Sequence, residues 1–187
     1  MAQARIELQA EMTSVGVVRR GLSWGASLEA GAVTGVTGGA LMIATLMVQA
    51  TATGYGALFP LNLIGATFRG PEALVGGTSV MLSGLLMHVV TSVVFGTMFS
   101  MAVLRRPRLA PTLVTGIAYG LLVLLFMTYV ALPYANPTMR QRVIGAPGTW
   151  FFSHVAFGLG VGLAPLIKRR FRSRPQAHAQ PIIAAER

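Results

Sequence analysis

Four long apolar stretches dominate this sequence. They cover residues 28–53, 79–104, 111–132 and 149–167, and Glu29 is the one acidic residue within them. A helix needs about 20 mostly apolar residues to cross the ~30 Å hydrocarbon core of a bilayer, because each residue rises about 1.5 Å. The four stretches therefore predict four membrane-spanning helices, which we call spans 1 to 4.

The composition of the chain argues against a soluble enzyme. It is 53% hydrophobic and 11% charged over 187 residues, whereas soluble domains are about 45–50% apolar and about 25% charged. Backbone polar groups in lipid must be satisfied within their own element, which favours helices. Strands of a membrane barrel would alternate apolar with polar residues, and these stretches do not alternate. The sequence therefore predicts an all-α, polytopic membrane protein. It contains no cysteine, which excludes disulfides and thiolate metal sites.

The basic residues predict how the chain is oriented. Most of the 15 Lys and Arg residues lie before span 1, between spans 2 and 3, or after span 4. The positive-inside rule then places the N and C termini in the cytoplasm. The net charge of +10 is explained by this topology and by contact with the anionic head groups of the lipid bilayer, so nucleic acid is not an expected partner.

The expected organisation has three parts. Residues 1–27 form a cytoplasmic or interfacial arm, residues 28–167 form the four-helix transmembrane domain, and residues 168–187 form a basic cytoplasmic tail. Outer loops are expected at residues 54–78 and 133–148. Proline and glycine break any continuous helix there, and the first loop is expected to lie along the outer surface or to dip partly into the bundle.

Small residues recur at four-residue spacing in every span. In lipid, apolar surface alone does not drive helices together, and small residues allow the close backbone approach that does. The expected packing positions are Gly31, Gly35, Gly39, Gly96, Gly116, Gly120, Gly158 and Gly162. Some of these faces are also candidates for contact with a partner protein.

Two histidines are the candidate site residues. His88 lies in span 2 and His154 in span 4, and ionisable side chains within a membrane are costly and often functional. Their distances from the cytoplasmic ends differ by about 4–5 Å, so similar depths are expected. Two such histidines can ligate a b-type haem, with Arg69, Arg140 and Arg142 as partners for the propionates. Alternatively, each histidine hydrogen-bonds across helices and fixes their packing.

Recognisable catalytic motifs are absent from the sequence. It has no Gly-rich phosphate loop with Lys, no His-Glu-x-x-His and no nucleophile elbow. Glu29 stands near the start of span 1, where the helix dipole favours a carboxylate. The sequence therefore favours a non-enzymatic role.

Several segments resemble small bacterial inner-membrane proteins: GAVTGVTGGALMIATLM, PLNLIGATF, HVVTSVVFGTMFS and SHVAFGLGVG. The resemblance implies a four-helix, multi-pass protein of the bacterial cytoplasmic (inner) membrane, with His88 and His154 at recurring positions. It implies no activity.

The expected function is that of a non-catalytic accessory or stabilising subunit in a larger bacterial membrane complex. Its expected partners are other membrane subunits or a second copy of the chain. The first alternative is a membrane cytochrome that holds haem b between His88 and His154 for electron transfer. The second alternative is a small channel or carrier.

Overall fold

The structure, a computed structural model, describes residues 24–102 and 108–172. The expected arm up to residue 23 and the tail from residue 173 lie outside the described residues. Within the described ranges the chain is helical and contains no β-strand. Four helices are long and apolar enough to cross a membrane: Ser27–Ala52, Thr78–Ala102, Leu109–Ala135 and Pro147–Phe171. The predicted all-helical chain with four such helices is confirmed.

The described helices follow one another with short connections. In chain order they are α1 (Trp24–Ala52), α2 (Phe59–Arg69), a 3₁₀ turn (Pro71–Val75), α3 (Thr78–Ala102), α4 (Leu109–Phe126), a π-helical turn (Met127–Ala131), α5 (Leu132–Ala135), α6 (Pro137–Gly145), α7 (Pro147–Gly162) and α8 (Ala164–Arg172). Span 1 is α1, span 2 is α3, span 3 runs from α4 through α5, and span 4 comprises α7 and α8. Span 4 is interrupted at Leu163, because Pro165 cannot donate a hydrogen bond to the carbonyl of Val161.

The spans pack in the order span 2, span 1, span 4, span 3. Span 1 and span 4 form the centre, and spans 2 and 3 form the two edges, with little direct contact between them. We call the end of the bundle that carries α2 and α6 the capped end. The opposite end, which carries α8, is the basic end.

The packing glycines lie where helix backbones touch. Gly35 of span 1 faces Gly96 of span 2, and a Cβ atom on Gly96 would overlap the Gly35 backbone. Gly116 of span 3 faces Gly158 of span 4 in the same way. The other predicted positions also contact a neighbouring helix: Gly31 meets Thr97, Gly39 meets Ser92, Gly120 meets the His154 carbonyl and Gly162 meets Leu113. All eight glycines are therefore used within the chain.

A further glycine contact joins the two helix pairs. Gly38 of span 1 lies against Gly160 of span 4, and a Cβ on Gly160 would come within 2.5 Å of the Gly38 Cα. Neither glycine belongs to the predicted four-residue series. The central contact of the bundle thus depends on a second glycine face of span 1.

Several threonine hydroxyl groups within the spans bond to their own helix. The Thr34 hydroxyl donates to the Ala30 carbonyl at 2.6 Å, and the Thr128 hydroxyl donates to the Leu124 carbonyl at 2.8 Å. A hydrogen bond to the carbonyl four residues earlier satisfies a threonine without a partner helix. These spans therefore carry threonines without opening a polar path.

The two segments expected as outer loops are largely helical. Pro60 and Pro137 stand in the first turns of α2 and α6, where a missing N–H costs nothing and the fixed φ suits a helix. The prolines therefore start these helices instead of breaking them. α2 packs its buried face on span 2, where Gly65 contacts Val80 and Gly84 meets the Leu61 carbonyl.

The start of the predicted basic tail is also helical. α8 continues to Arg172, and Lys168 is buried. Its ammonium group donates to the carbonyl of Ser100, in the last turn of span 2. A cation there satisfies a terminal carbonyl and complements the helix dipole, so Lys168 belongs to the bundle and not to a solvated flank.

Candidate functional site

A cavity between spans 2 and 3 contains both histidines. Its volume is about 100 Å³, and all the empty space among its lining side chains, including the part open to the surroundings, totals about 830 Å³. Spans 2 and 3 line its sides, spans 1 and 4 its back, and α2 and α6 its roof at the capped end. On the basic side the two edge spans meet, because the Tyr119 hydroxyl donates to the Phe95 carbonyl at 2.9 Å.

The side chain of His88 forms a hydrogen bond between two helices. Its Nε2 lies 2.9 Å from the carbonyl oxygen of Gly39 on span 1, and the side chain is buried. A carbonyl only accepts, so Nε2 donates and carries the ring proton. The absence of a side chain at Gly39 leaves room for the imidazole. This contact is the interhelix hydrogen bond expected under the packing alternative.

His154 bonds to its own helix instead. Its Nδ1 lies 2.8 Å from the carbonyl oxygen of Trp150, one turn earlier, which also accepts from the Ser153 hydroxyl at 2.8 Å. Nδ1 therefore carries the ring proton. Within the described part of the chain, the opposite nitrogen, Nε2, has no hydrogen-bond partner. The side chain is only 3% exposed and lines the cavity.

The lining of the cavity is rich in flexible methionine side chains and aromatic rings. It contains four methionines from four different elements, together with three aromatic side chains: Met42, Met87, Met127, Met139, Phe95, Trp150 and Phe157. Methionine adapts its shape readily, and its sulfur contacts aromatic rings favourably. The wall can therefore reshape around a flat apolar group.

The three arginines expected near the histidines do not line this cavity. Arg69 is exposed at the end of α2. The Arg140 Nε donates to the Thr128 carbonyl at 3.3 Å, and the Arg142 guanidinium donates to the Tyr55 hydroxyl at 3.1 Å. The Arg142 guanidinium also lies 5.4 Å from the centre of the Tyr55 ring. Arg140 and Arg142 thus hold backbone and aromatic groups at the capped end.

A second cavity of about 140 Å³ lies towards the capped end. Arg142, Tyr55 and Phe59 line it, and Leu46 and Trp150 line both cavities. These two side chains separate the histidine cavity from the arginine.

As placed, the residues do not fit a haem ligated by two histidines. The Nε2 of His88 is occupied by Gly39, and the arginines lie away from the cavity. The enclosed volume of about 100 Å³ is below the ~150 Å³ of a cavity that holds one benzene. The haem alternative stays a prediction that an optical spectrum decides.

No group of three potential metal ligands occurs among the described residues. Glu29 is exposed at the start of span 1. In the described part of the chain, the fully buried ionisable side chains are the two histidines and, at the basic end, Lys168.

Asn136 is a residue that the sequence analysis did not single out. Its Oδ1 accepts from the Met139 amide at 2.9 Å, and its Nδ2 donates to the Leu63 carbonyl at 2.9 Å and to the Thr67 hydroxyl at 3.0 Å. It thereby joins α2 to α6. Asn followed by Pro, the N-cap and first position of α6, is the signal that could have identified it.

No protein-family model, curated protein or solved structure matches this chain.

Proposed function

We propose that this chain is a non-catalytic accessory or stabilising subunit of a larger complex in the bacterial cytoplasmic membrane, with both termini in the cytoplasm. The observation that supports it best is how the polar side chains of the bundle are used. His88, Asn136, Arg140 and Lys168 each hydrogen-bond a backbone carbonyl of another helix or turn. Such groups hold a scaffold together and leave few free for chemistry.

Span 3 offers the surface on which a partner would pack. Span 3 is the least buried of the four: 22% of its most apolar 18-residue stretch is buried within the chain, against 28% for span 2, 33% for span 1 and 56% for span 4. Val114, Leu122, Leu125 and Tyr129 are 55–69% exposed, and their spacing of three, four or eight residues places them on one face of a helix. The proposed occupant is an apolar transmembrane helix of another subunit. Because the glycine faces are used internally, this contact would be made by larger side chains.

Site-specific photo-crosslinking in native membranes tests this proposal. A crosslinker replaces Leu122 on span 3, and a matched control replaces Val90, an exposed residue of span 2. We expect a discrete protein adduct from position 122 and only lipid adducts from position 90. The proposal fails if position 122 gives no protein adduct, the purified chain is a monomer in mild detergent, and its deletion leaves every membrane complex intact.

The two alternative functions have direct tests. A reduced-minus-oxidised spectrum of the purified protein, expressed with ample haem, decides the cytochrome: a Soret band that disappears in His88→Ala and His154→Ala would establish it. Flux of ions or solutes into liposomes decides the channel or carrier.

A further inference from the structure

We propose that the cavity between spans 2 and 3 binds the ring of a lipid-soluble phenol or hydroquinone, whose hydroxyl donates to Nε2 of His154. This site goes beyond the accessory role and does not depend on it.

His154 presents a single hydrogen-bond acceptor to the cavity. The Trp150 carbonyl fixes the ring proton on Nδ1, so the neutral imidazole presents a lone pair at Nε2. No described residue donates to that nitrogen, although the side chain is almost fully buried. This nitrogen is not one of the fully enclosed unpaired atoms of the described residues, which are Asn62 Oδ1 and Ser100 Oγ, so it is accessible from the cavity that His154 lines. A donor on a bound molecule would satisfy this nitrogen.

The lone pair at Nε2 of His154 and the neighbouring side chains restrict the type of molecule that can bind. Nε2 can only accept, so a hydroxyl group suits it, whereas a quinone or an ester carbonyl offers nothing to it. The other side chains at the site favour a ring, because methionine sulfur and aromatic edges pack well on aromatic faces. Met87, Met127 and Trp150 are three of these lining side chains. Together these features select an aromatic alcohol.

The gap between spans 2 and 3 gives a ligand access to the cavity. The empty space among the side chains that line the cavity totals about 830 Å³, including the part that is open to the surroundings. Spans 2 and 3 have little contact with each other, so a ligand can reach the cavity laterally from the lipid. The ring would occupy the inner part, where methionine side chains can move aside, and an apolar tail would leave between the two spans. The enclosed volume of about 100 Å³ is below the ~150 Å³ of a cavity that holds a benzene ring, so binding requires these methionine side chains to move.

Fluorescence titration provides the test. The chain has two tryptophans, so Trp24→Phe leaves Trp150, in the cavity wall, as the reporter. The full chain is reconstituted in phosphatidylcholine nanodiscs and titrated with 4-nonylphenol and with its methyl ether. The ether keeps the ring and the tail but cannot donate a hydrogen bond. We expect the phenol to bind about tenfold more tightly, as for one buried hydrogen bond. Equal affinities would overturn the proposal.

Matched variants locate the acceptor. In His154→Asn the amide can still donate to the Trp150 carbonyl, but the atom at Nε2 is gone, so the preference for the phenol should fall to about one. His88→Gln keeps a donor for Gly39 and should retain the tenfold preference. A preference that survives in His154→Asn would contradict the assignment.

A second variant keeps the test informative if His154→Asn does not fold. Met87→Phe fills the cavity and should weaken phenol binding at least tenfold while leaving His154 in place. Unchanged binding would place the ligand elsewhere and overturn the proposal.

A redox pair distinguishes the two sources of such a ligand. A decyl hydroquinone should bind more tightly than its oxidised quinone, which only accepts hydrogen bonds. If the hydroquinone also binds more tightly than the phenol, the natural ligand belongs to the redox-active lipids. If the hydroquinone and the phenol bind with equal affinity, the natural ligand is a simple phenol. A quinone that binds as well as its hydroquinone would overturn the proposal.

Discussion

At the scale of single residues, buried polar side chains connect segments that are far apart in the sequence. Asn136 is the clearest case, since it is 2% exposed and contacts Leu63, Thr67 and Met139. It supplies the N-cap that α6 requires and satisfies a carbonyl of α2 as well. An amide is suited to this position because it has both an acceptor and a donor.

Asn136→Leu should therefore destabilise the capped end. The change leaves the Leu63 carbonyl and the Met139 amide without their partner, and we expect a loss of about 2–3 kcal/mol in the free energy of unfolding. Thermal unfolding in detergent would measure it. Asn62→Leu is the matched control: its Oδ1 is buried and has no hydrogen-bond partner among the described residues, so this change should cost far less. Equal losses would contradict the role given to Asn136.

The sequence predicts the types of the site residues but not their partners. His88 and His154 look alike in sequence, each within an apolar span with small residues nearby. In the structure one bonds a neighbouring helix and the other bonds its own. That difference depends on how each helix is rotated, which is set by close contacts such as that of Gly39 with Ser92. Spacing along one helix indicates a face but not the helix that it meets.

At the scale of elements, the π-helical turn in span 3 has a cause in the sequence. The Leu132 amide donates to the Met127 carbonyl, five residues back. The Thr128 carbonyl is thereby left without a donor, because the residue five positions later is Pro133, which has no N–H. Arg140 donates to that carbonyl. Arg140, expected as a propionate partner, instead completes the hydrogen bonding of a proline-induced π turn.

A double-mutant cycle tests this explanation. Arg140→Leu should cost about 1–3 kcal/mol, because it leaves the Thr128 carbonyl unsatisfied. In a Pro133→Ala background span 3 can form a regular α-helix, in which the Leu132 amide reaches Thr128, so Arg140→Leu should cost little. Chemical unfolding of the four proteins would give the coupling energy. Additive losses would show that Arg140 acts independently of Pro133.

The glycine contacts give a second prediction at this scale. Gly158→Ala would place a Cβ within 2.6 Å of the Ile117 Cα on span 3. Two backbones cannot move apart without losing other contacts, so we expect a loss of about 1–3 kcal/mol. Gly145→Ala is the control, because a Cβ there meets nothing within 4 Å. Its unfolding midpoint should stay the same or rise. A similar fall in both variants would contradict the packing described.

At the scale of the whole molecule, hydropathy predicts the spans but not their order. Length and apolarity decide whether a segment can cross a membrane, and those properties are local. The order of span 2, span 1, span 4 and span 3 depends on which faces of small residues meet. The apolar surfaces that face lipid do not distinguish one possible order of the spans from another. The helices in the outer segments were missed because Pro60 and Pro137 are ambiguous, since proline both ends helices and begins them.

The proposed orientation is open to a direct test because the chain contains no cysteine. Tyr134 is 90% exposed near the capped end, and Arg170 is exposed on α8 at the basic end. In spheroplasts, a membrane-impermeant maleimide should label Tyr134→Cys, whereas Arg170→Cys should react only after permeabilisation. The basic end should stay inside because Lys and Arg flanks resist translocation.

The unsubstituted chain controls for background labelling in that experiment. The opposite pattern would invert the proposed topology and leave the bundle unchanged. Labelling of both positions in sealed spheroplasts would contradict the four-span arrangement itself, because four antiparallel spans keep the capped and basic ends on opposite faces of the membrane. That result would require at least one of the four helices to stay out of the bilayer.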